Sequence, residues 1–260
     1  MPKPPAKPPC ACSKKAGSEP LNSPIDLGAE VKPGPAELKE PWEFNGLEKM
    51  LCTEIKNDGE QIIIRICPKQ SPVICGGGLS HSEYIIDRID FHWGSAHTVN
   101  NERLPLETHI FMYCTEFCGI DEALQKEGAA AFSILHEYSD ITSCGICKLI
   151  PFVSQINKCV NKPIPYCVIS LKDFLPENKD NFIRYTGSTT YPPYKPGLEW
   201  TVFQEKLPIT RIDLGQFTNI CDQDGKLIVS NFREIQPIPP GAEIFSFSDG
   251  KDCSCSTPKQ

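Results

Sequence analysis

No stretch of this 260-residue chain approaches 18 consecutive apolar residues, so the sequence contains no candidate transmembrane helix. The N-terminal segment also lacks the apolar centre of a secretory signal. We therefore expect a cytoplasmic protein with no membrane partner. We find no internal repeat, and hydrophobic and charged residues make up 40% and 23% of the chain, fractions typical of a globular protein.

A basic excess is also missing. The chain has 26 Lys and Arg against 33 Asp and Glu, which gives a formal charge of −7. Nucleic-acid-binding proteins usually present a basic surface, so we expect no nucleic-acid partner. The one basic run lies at the N-terminus, where Lys3, Lys7, Lys14 and Lys15 precede the first acidic residue, Glu19.

Proline and cysteine, by contrast, are abundant, with 25 and 14 residues respectively. Residues 1–20 contain six of the prolines and are predicted to form an extended, polyproline-like tail. Residues 251–260 form a second polar tail that contains cysteine. Between the tails, residues 21–250 are predicted to be a single domain.

The cysteines are expected to be reduced thiols, because a cytosolic protein rarely keeps disulfides. Each tail carries a Cys-X-Cys pair, Cys10 with Cys12 and Cys253 with Cys255. Such pairs can bind soft metals, but we favour tolerated small residues in solvent. The CGIC segment at residues 144–147 leaves a redox or metal role open, and we favour the start of a helix with small buried thiols.

The hydrophobic pattern predicts a mainly β (α+β) fold with short helices around a large twisted, mostly antiparallel sheet. Helical spacing is clear once, in the segment from Ile146 to Ile156, although Pro151 lies inside it. In residues 83–93 the alternation places Asp87 with Ile89 on one face and Arg88 with Asp90 on the other. The predicted strands are residues 61–67, 83–93, 106–114, 129–138 and 200–203.

The segment from residue 90 to residue 109 contains the candidate chemistry. Asp90 and His92 are two residues apart on a strand and share a face, and an antiparallel neighbour would bring His109 beside them. These residues form a possible three-ligand zinc site with an open fourth position, and Glu107 would accept a hydrogen bond from a ligand. Strand histidines are, however, more often packed or hydrogen-bonded residues than ligands.

Six ordered segments resemble the α-class carbonic anhydrases over about residues 22–237. They are NSPIDL (22–27), GGGL (76–79), FHWGSAHTVNNERLPLETHI (91–110), LKDFLPENKDNFIRYTGSTTYPP (171–193), EWTVF (199–203) and NFREIQP (231–237). The third is similar to the family's FHWGSEHTVDGKRYPAELHL. The resemblance implies the family's fold for residues 21–250, with the two tails added.

In that family three histidines hold zinc, and the zinc-bound hydroxide attacks carbon dioxide. The resemblance implies that His92 and His109 correspond to the second and third ligands, whereas Asp90 stands at the first position. Glu107 retains the carboxylate behind the third ligand. Thr190 retains the threonine that orients the hydroxide.

Other functional positions of the family are changed. Arg88 replaces a glutamine behind the first ligand, and Ala96 replaces the glutamate that fixes the threonine hydroxyl. Glu60 stands at the position of the histidine proton shuttle. The substrate pocket is altered at three further positions, Phe111, Thr189 and Tyr191.

Two interpretations follow from these departures. The first is an inactive carbonic-anhydrase-related protein without a cofactor, in which Arg88 pairs with Asp90 and occupies the place of zinc. It would bind protein partners through residues 1–20, in a large cytosolic assembly such as a cytoskeletal or axonemal filament. The alternative is a weakly active enzyme with zinc held by Asp90, His92 and His109.

Overall fold

The computed structural model describes residues 21–28, 31–36 and 39–248. The predicted tails, with their two Cys-X-Cys pairs, lie outside the described residues. Inside them, no helix is long and apolar enough to cross a bilayer.

The described part of the chain contains fourteen strands and three α-helices. The strands are β1 (Lys32–Pro33), β2 (Trp42–Asn45), β3 (Met50–Asn57), β4 (Ile62–Ile66), β5 (Val73–Gly76), β6 (Tyr84–Trp93), β7 (Thr98–Val99), β8 (Glu102–Arg103), β9 (Leu106–Cys114), β10 (Ala129–Tyr138), β11 (Ile164–Ser170), β12 (Phe182–Ser188), β13 (Pro196–Ile209) and β14 (Ile244–Phe247). The helices are α1 (Ile120–Gln125), α2 (Cys144–Ile156) and α3 (Arg211–Thr218), and Leu171–Phe174 form a short 3₁₀ helix.

Twelve of these strands form one large sheet. Its main path is β1-β14-β12-β13-β10-β9-β6-β4-β3-β11, and β5, paired with β2, joins along β6. The pairs β1–β14 and β10–β13 are parallel, and the remaining pairs of this sheet are antiparallel. Strands β7 and β8 form a separate two-stranded sheet. The predicted mainly β fold with a mostly antiparallel sheet is confirmed.

The strand predictions agree best where apolar alternation is long. Strands β9 and β10 have the predicted bounds, and β4 and β6 differ from theirs by at most one residue at each end. Strand β13 is much longer than predicted, because polar residues continue it along β10 and β12. Helix α2 contains the predicted apolar face and keeps Pro151 inside it.

Apolar cores cover both faces of the sheet, and the candidate site lies on one of them. Ile89 and Phe91 of β6 belong to the larger core, together with Phe217 of α3. The opposite face carries a smaller core that includes Phe111 of β9 and Trp200 of β13. Asp90 and His92 alternate with Ile89 and Phe91, so they point toward the smaller core.

A β-bulge in β6 changes the facing of Asp87. The register with β9 shifts between Ile86 and Arg88, and Ile86 and Ile89 both pack in the larger core although they are three residues apart. Asp87 is the inserted residue, and it lines the same cleft as Arg88. The predicted placement of Asp87 on the face of Ile89 is therefore wrong, because simple alternation does not anticipate a bulge.

The GGGL segment forms a close turn that fastens β5 to the rest of the sheet. Gly77 has a φ of 59°, and a Cβ atom at this position would lie 2.4 Å from the Trp42 ring. Arg184 donates from Nη2 to the Gly77 carbonyl at 3.0 Å, and its Nη1 lies 2.7 Å from Oε1 of Glu199. Glycine is required here by both the left-handed backbone and the indole.

Candidate functional site

Strands β6 and β9 place the predicted ligand residues side by side. Asp90 is the register partner of His109, and His92 is the partner of Glu107. All four side chains are buried. The antiparallel pairing expected from the sequence therefore brings Asp90, His92 and His109 to one place on the sheet.

His92 has one ring nitrogen with a partner and one without. Its Nδ1 lies 3.3 Å from the backbone oxygen of Asn231, which can only accept, so Nδ1 carries the proton of the neutral ring. Burial, together with the neighbouring His109, lowers the pKa of His92 to about 3 and keeps it neutral at pH 7. The buried Nε2 has no hydrogen-bond partner, and its lone pair is free.

His109 is held in the complementary arrangement by Glu107. Nε2 of His109 lies 2.6 Å from Oε1 of Glu107, an oxygen that can only accept from it while the carboxyl is ionised. Burial would raise the pKa of Glu107, but His97 and His109 hold that pKa well below its ordinary value. The His109 proton therefore lies on Nε2, and Nδ1 faces the Thr190 hydroxyl at 3.4 Å.

His97 is a member of this network that the sequence reasoning missed. Its Nδ1 lies 2.6 Å from Oε1 of Glu107, and its Nε2 lies 2.6 Å from the Tyr185 hydroxyl. The Ser133 hydroxyl donates to the same Glu107 oxygen at 2.6 Å. A histidine in a loop after β6 gives no periodic signal, so only the motif HTV could have drawn attention to it.

Arg88 and Asp90 form an ion pair at the predicted position. Nε of Arg88 donates to Oδ2 of Asp90 at 3.1 Å, and the two side chains are 9% and 0% exposed. Burial raises the pKa of Asp90 to about 6, although the guanidinium opposes this shift. Oδ1 of Asp90 and Nη2 of Arg88 are buried without a hydrogen-bond partner.

The arrangement of donor atoms does not fit a three-ligand zinc ion. Among the described residues, two clusters of three His, Cys, Asp or Glu side chains have all their metal-binding atoms within 4.8 Å of one another. Asp90, His92 and His109 are not one of these clusters. One is His97, Glu107 and His109, whose donor atoms are already engaged in mutual hydrogen bonds. The other lies at the far end of β9. The aspartate side chain at position 90 is shorter than a histidine side chain, so it reaches less far toward His92 and His109. Its carboxylate is also already hydrogen-bonded to Arg88.

A cleft with a volume of about 650 Å³ lies beside the ion pair, and Arg88 and Tyr191 belong to its lining. Cζ of Arg88 lies 4.0 Å from the centre of the Tyr191 ring and 4.9 Å from that of Phe111. The Phe111 ring also meets the His109 ring edge-on, with 5.8 Å between the two centres. Arg88 and Tyr191 of the cleft wall therefore contact Phe111, which in turn contacts His109.

The remaining predicted site residues are spread around this centre. Ala96 is fully buried, and its methyl side chain offers no acceptor for the Thr190 hydroxyl. Thr189 donates to the Tyr191 carbonyl at 2.9 Å and shapes the turn before β13. Glu60 is exposed in the turn between β3 and β4 and is not among the described residues that line the cleft.

The cysteines of CGIC lie apart from this site. Cys144 begins α2, as predicted, and Cys147 follows in its first turn. Both are exposed free thiols, so their predicted burial is wrong. The buried positions of this turn are instead Gly145 and Ile146.

Comparison with known proteins matches residues 10–241 to the family model described as eukaryotic-type carbonic anhydrase. The chain is 27% identical over 241 residues to carbonic anhydrase 15 of Mus musculus, covering 84% of this chain and 73% of that protein. It is 29% identical over 240 residues to the carbonic anhydrase-related protein of Homo sapiens, covering 83% and 80% respectively.

A third relative is much longer than this chain. The receptor-type tyrosine-protein phosphatase zeta of Homo sapiens is 26% identical over 258 residues, which cover 90% of this chain but 11% of the phosphatase. These relatives share the domain and differ in what surrounds it. The match over most of its length shows that the chain belongs to the eukaryotic-type carbonic anhydrase family.

Proposed function

We propose that this carbonic anhydrase-family domain does not hydrate carbon dioxide and acts as a protein-binding or structural module. The observation that carries the proposal is the Arg88–Asp90 ion pair, which is buried beside His92 and His109. A guanidinium at this position repels a divalent cation, and it engages the carboxylate that stands at the first ligand position. No cofactor is part of this proposal.

The surroundings of the pair support the same conclusion. Thr190 lacks the acidic partner that would fix its hydroxyl, because residue 96 is alanine. Tyr191 lines the cleft and packs against Phe111, which packs in turn against the His109 ring, so both add bulk near the histidines. Positioning of a nucleophile and access of a substrate are both reduced by these side chains.

The test is a carbon dioxide hydration assay on the full chain with and without added Zn²⁺. The matched control is the H92A/H109A variant, which removes both histidine donors. We expect the same rate from both proteins, equal to that of buffer. A rate from the parent chain that exceeds the variant's and depends on zinc would overturn the proposal.

A weakly active zinc enzyme is the second candidate, and one observation favours it. The lone pair of His92 Nε2 and Oδ1 of Asp90 are buried and unpartnered, and both atoms are of the kind that binds zinc. This candidate requires Asp90 to leave Arg88. Zinc-dependent hydration that disappears in D90A as well as in H92A/H109A would establish it.

The partner surface is proposed to include residues 1–20, which lie outside the described residues. The segment carries Lys3, Lys7, Lys14 and Lys15 against the single acid Glu19, so it complements an acidic surface. We propose a cytosolic filament of the cytoskeleton or axoneme as the partner, with no part for nucleic acid or membrane.

Co-sedimentation with polymerised microtubules tests the partner proposal. We expect the full chain to pellet with the filaments and a chain lacking residues 1–20 to remain soluble. A variant with the four lysines changed to glutamine should bind more weakly and lose its salt dependence. Equal binding by the full and shortened chains would contradict the role of the segment.

A further inference from the structure

A second group of metal-binding side chains lies at the far end of β9. His81 precedes β6, Cys114 ends β9, and Glu116 follows in the next turn. Their donor atoms all lie within 4.8 Å of one another. None of the three belongs to the histidine and carboxylate network on the sheet.

We propose that His81, Cys114 and Glu116 bind a divalent zinc-class ion. Zinc binds thiolate, imidazole and carboxylate at about 2.0–2.3 Å, so tetrahedral donors are separated by about 3.5 Å. Closing the group from 4.8 Å to that separation requires each side chain to move by about 1 Å or less. A mixed sulfur, nitrogen and oxygen set is the chemistry of zinc rather than of calcium or magnesium.

The protein already restricts two of these ligands. Cys114 is buried, with 1% of its surface exposed. The His81 ring meets the edges of the Tyr84 and Phe117 rings, with centres 6.2 and 5.7 Å away, and its backbone N–H donates to the Tyr84 hydroxyl. A ligand whose orientation is set by packing loses little rotamer entropy when the metal binds.

The local charge favours a cation, and the group is open to solvent. Glu116 is exposed and gives an ion a path of entry. Glu83 lies nearby as well, because its backbone oxygen accepts from Thr115 N–H at 3.1 Å. Lys126 lies 5.5 Å from the Phe117 ring, and its charge is paired with that of Glu122.

The site differs from the family's zinc position in one measurable respect, which is its sulfur ligand. Co²⁺ bound to a thiolate shows a near-ultraviolet sulfur-to-metal charge-transfer band, and Co²⁺ bound by histidine and carboxylate alone does not. The band therefore reports a thiolate ligand, which the variant C114S can assign to Cys114, and it is silent about Asp90, His92 and His109. Success or failure here is thus independent of the hydration assay.

The experiment is a Co²⁺ titration of the full chain under reducing conditions. Because the Cys-X-Cys pairs of the tails and the exposed Cys144 and Cys147 also offer thiolates, the background carries serine at Cys10, Cys12, Cys144, Cys147, Cys253 and Cys255. In this background we expect the charge-transfer band to saturate with one equivalent of Co²⁺. The H92A/H109A change should leave the band unaltered.

Variants of the ligands decide the outcome. C114S should abolish the band, and H81Q and E116Q should weaken Co²⁺ binding at least about tenfold, since even residues behind a ligand have effects of that size. If C114S does not fold, the more exposed changes H81Q and E116Q still test the site. No band in the background protein, or unchanged affinity in both H81Q and E116Q, would overturn the proposal.

Discussion

The ring centres of His92 and His109 lie 4.4 Å apart, and each ring keeps a lone pair on the nitrogen that a metal would use. Asp90, the register partner of His109, is instead engaged by Arg88. Two of the three side chains at the ligand positions, His92 and His109, therefore keep a free lone pair, whereas the third, Asp90, is held in an ion pair with Arg88. This asymmetry makes restoration a sharper test than further removal.

Restoring the family's residues at the pair should create a zinc site. In R88Q/D90H the repelling guanidinium is gone and an imidazole reaches toward His92 and His109. We expect hydration above the parent rate in the presence of Zn²⁺, measured by proton release. Adding A96E should increase the rate further, because its carboxylate would orient the Thr190 hydroxyl.

The single change D90H is the matched control for restoration. It adds a ligand but keeps Arg88, so we expect zinc to bind it about 10–100-fold more weakly than R88Q/D90H, the range found for groups behind a ligand. Equal zinc affinity in the two variants would show that Arg88 does not oppose the metal.

The buried ion pair should also affect stability strongly. R88M leaves the Asp90 carboxylate buried without a partner, and we expect a loss of about 3 kcal/mol in the free energy of unfolding at pH 7. At pH 5 the loss should be smaller. The pKa of folded Asp90 is raised to about 6 from 3.8, so protonation favours the folded state below that pH.

Urea unfolding at pH 5 and pH 7 measures this difference. The control is R65M, because Nη1 of Arg65 lies 3.6 Å from Oδ2 of Asp87 but the arginine side chain is 52% exposed. We expect R65M to cost less than about 1 kcal/mol at both pH values. An R88M loss as small as that of R65M would contradict a role for the pair in the folded state.

Much of the sheet could be predicted because its central strands are long and apolar. Leu106–Cys114 and Ala129–Tyr138 were located to the residue, since both are buried along almost their whole length. The short edge strands were missed: Lys32–Pro33 has no apolar pattern and exists through its pairing with Ile244–Phe247. Such pairing depends on residues more than two hundred positions away.

The site could be predicted in part for a similar reason. Arg88 and Asp90 are two residues apart on a strand, so their contact follows from local geometry. His97 could not be found in this way, because its contacts with Glu107 and Tyr185 join a loop to two separate strands. The facing of Asp87 depends on a bulge, which alternation in the sequence does not encode.

A third prediction concerns Gly77. G77A should destabilise the fold by roughly 2–4 kcal/mol, because the new methyl group would lie 2.4 Å from the Trp42 ring and the backbone has a φ of 59°. G225A is the control: its φ is 78°, but no atom lies within 4 Å of the added Cβ. Urea unfolding should therefore show about 1 kcal/mol for G225A, and similar losses in the two variants would exclude a steric role for Trp42.

The last prediction is a pH dependence that arises from His136. Burial, against the weaker attraction of Glu107, lowers the pKa of His136 to about 3, and its Nδ1 has no hydrogen-bond partner. In the unfolded chain the His136 ring takes up a proton as the pH falls through about 6.5, whereas in the folded chain the same ring stays neutral until the pH approaches 3. The free energy of unfolding is therefore unaffected by His136 protonation above pH 6.5, and it decreases as the pH falls from 6.5 toward 3.

Between pH 7 and pH 5 this one group should cost about 2 kcal/mol of unfolding free energy. We expect H136Q to show a decline that is smaller by that amount over the same range, measured by urea unfolding. T108V removes the hydroxyl that lies 2.9 Å from His136 Nε2 but keeps the buried imidazole. Because burial rather than this hydrogen bond sets the pKa of His136, T108V should show the same decline in unfolding free energy as the parent chain. Equal declines in H136Q and the parent chain would contradict the assignment of this pH dependence to His136.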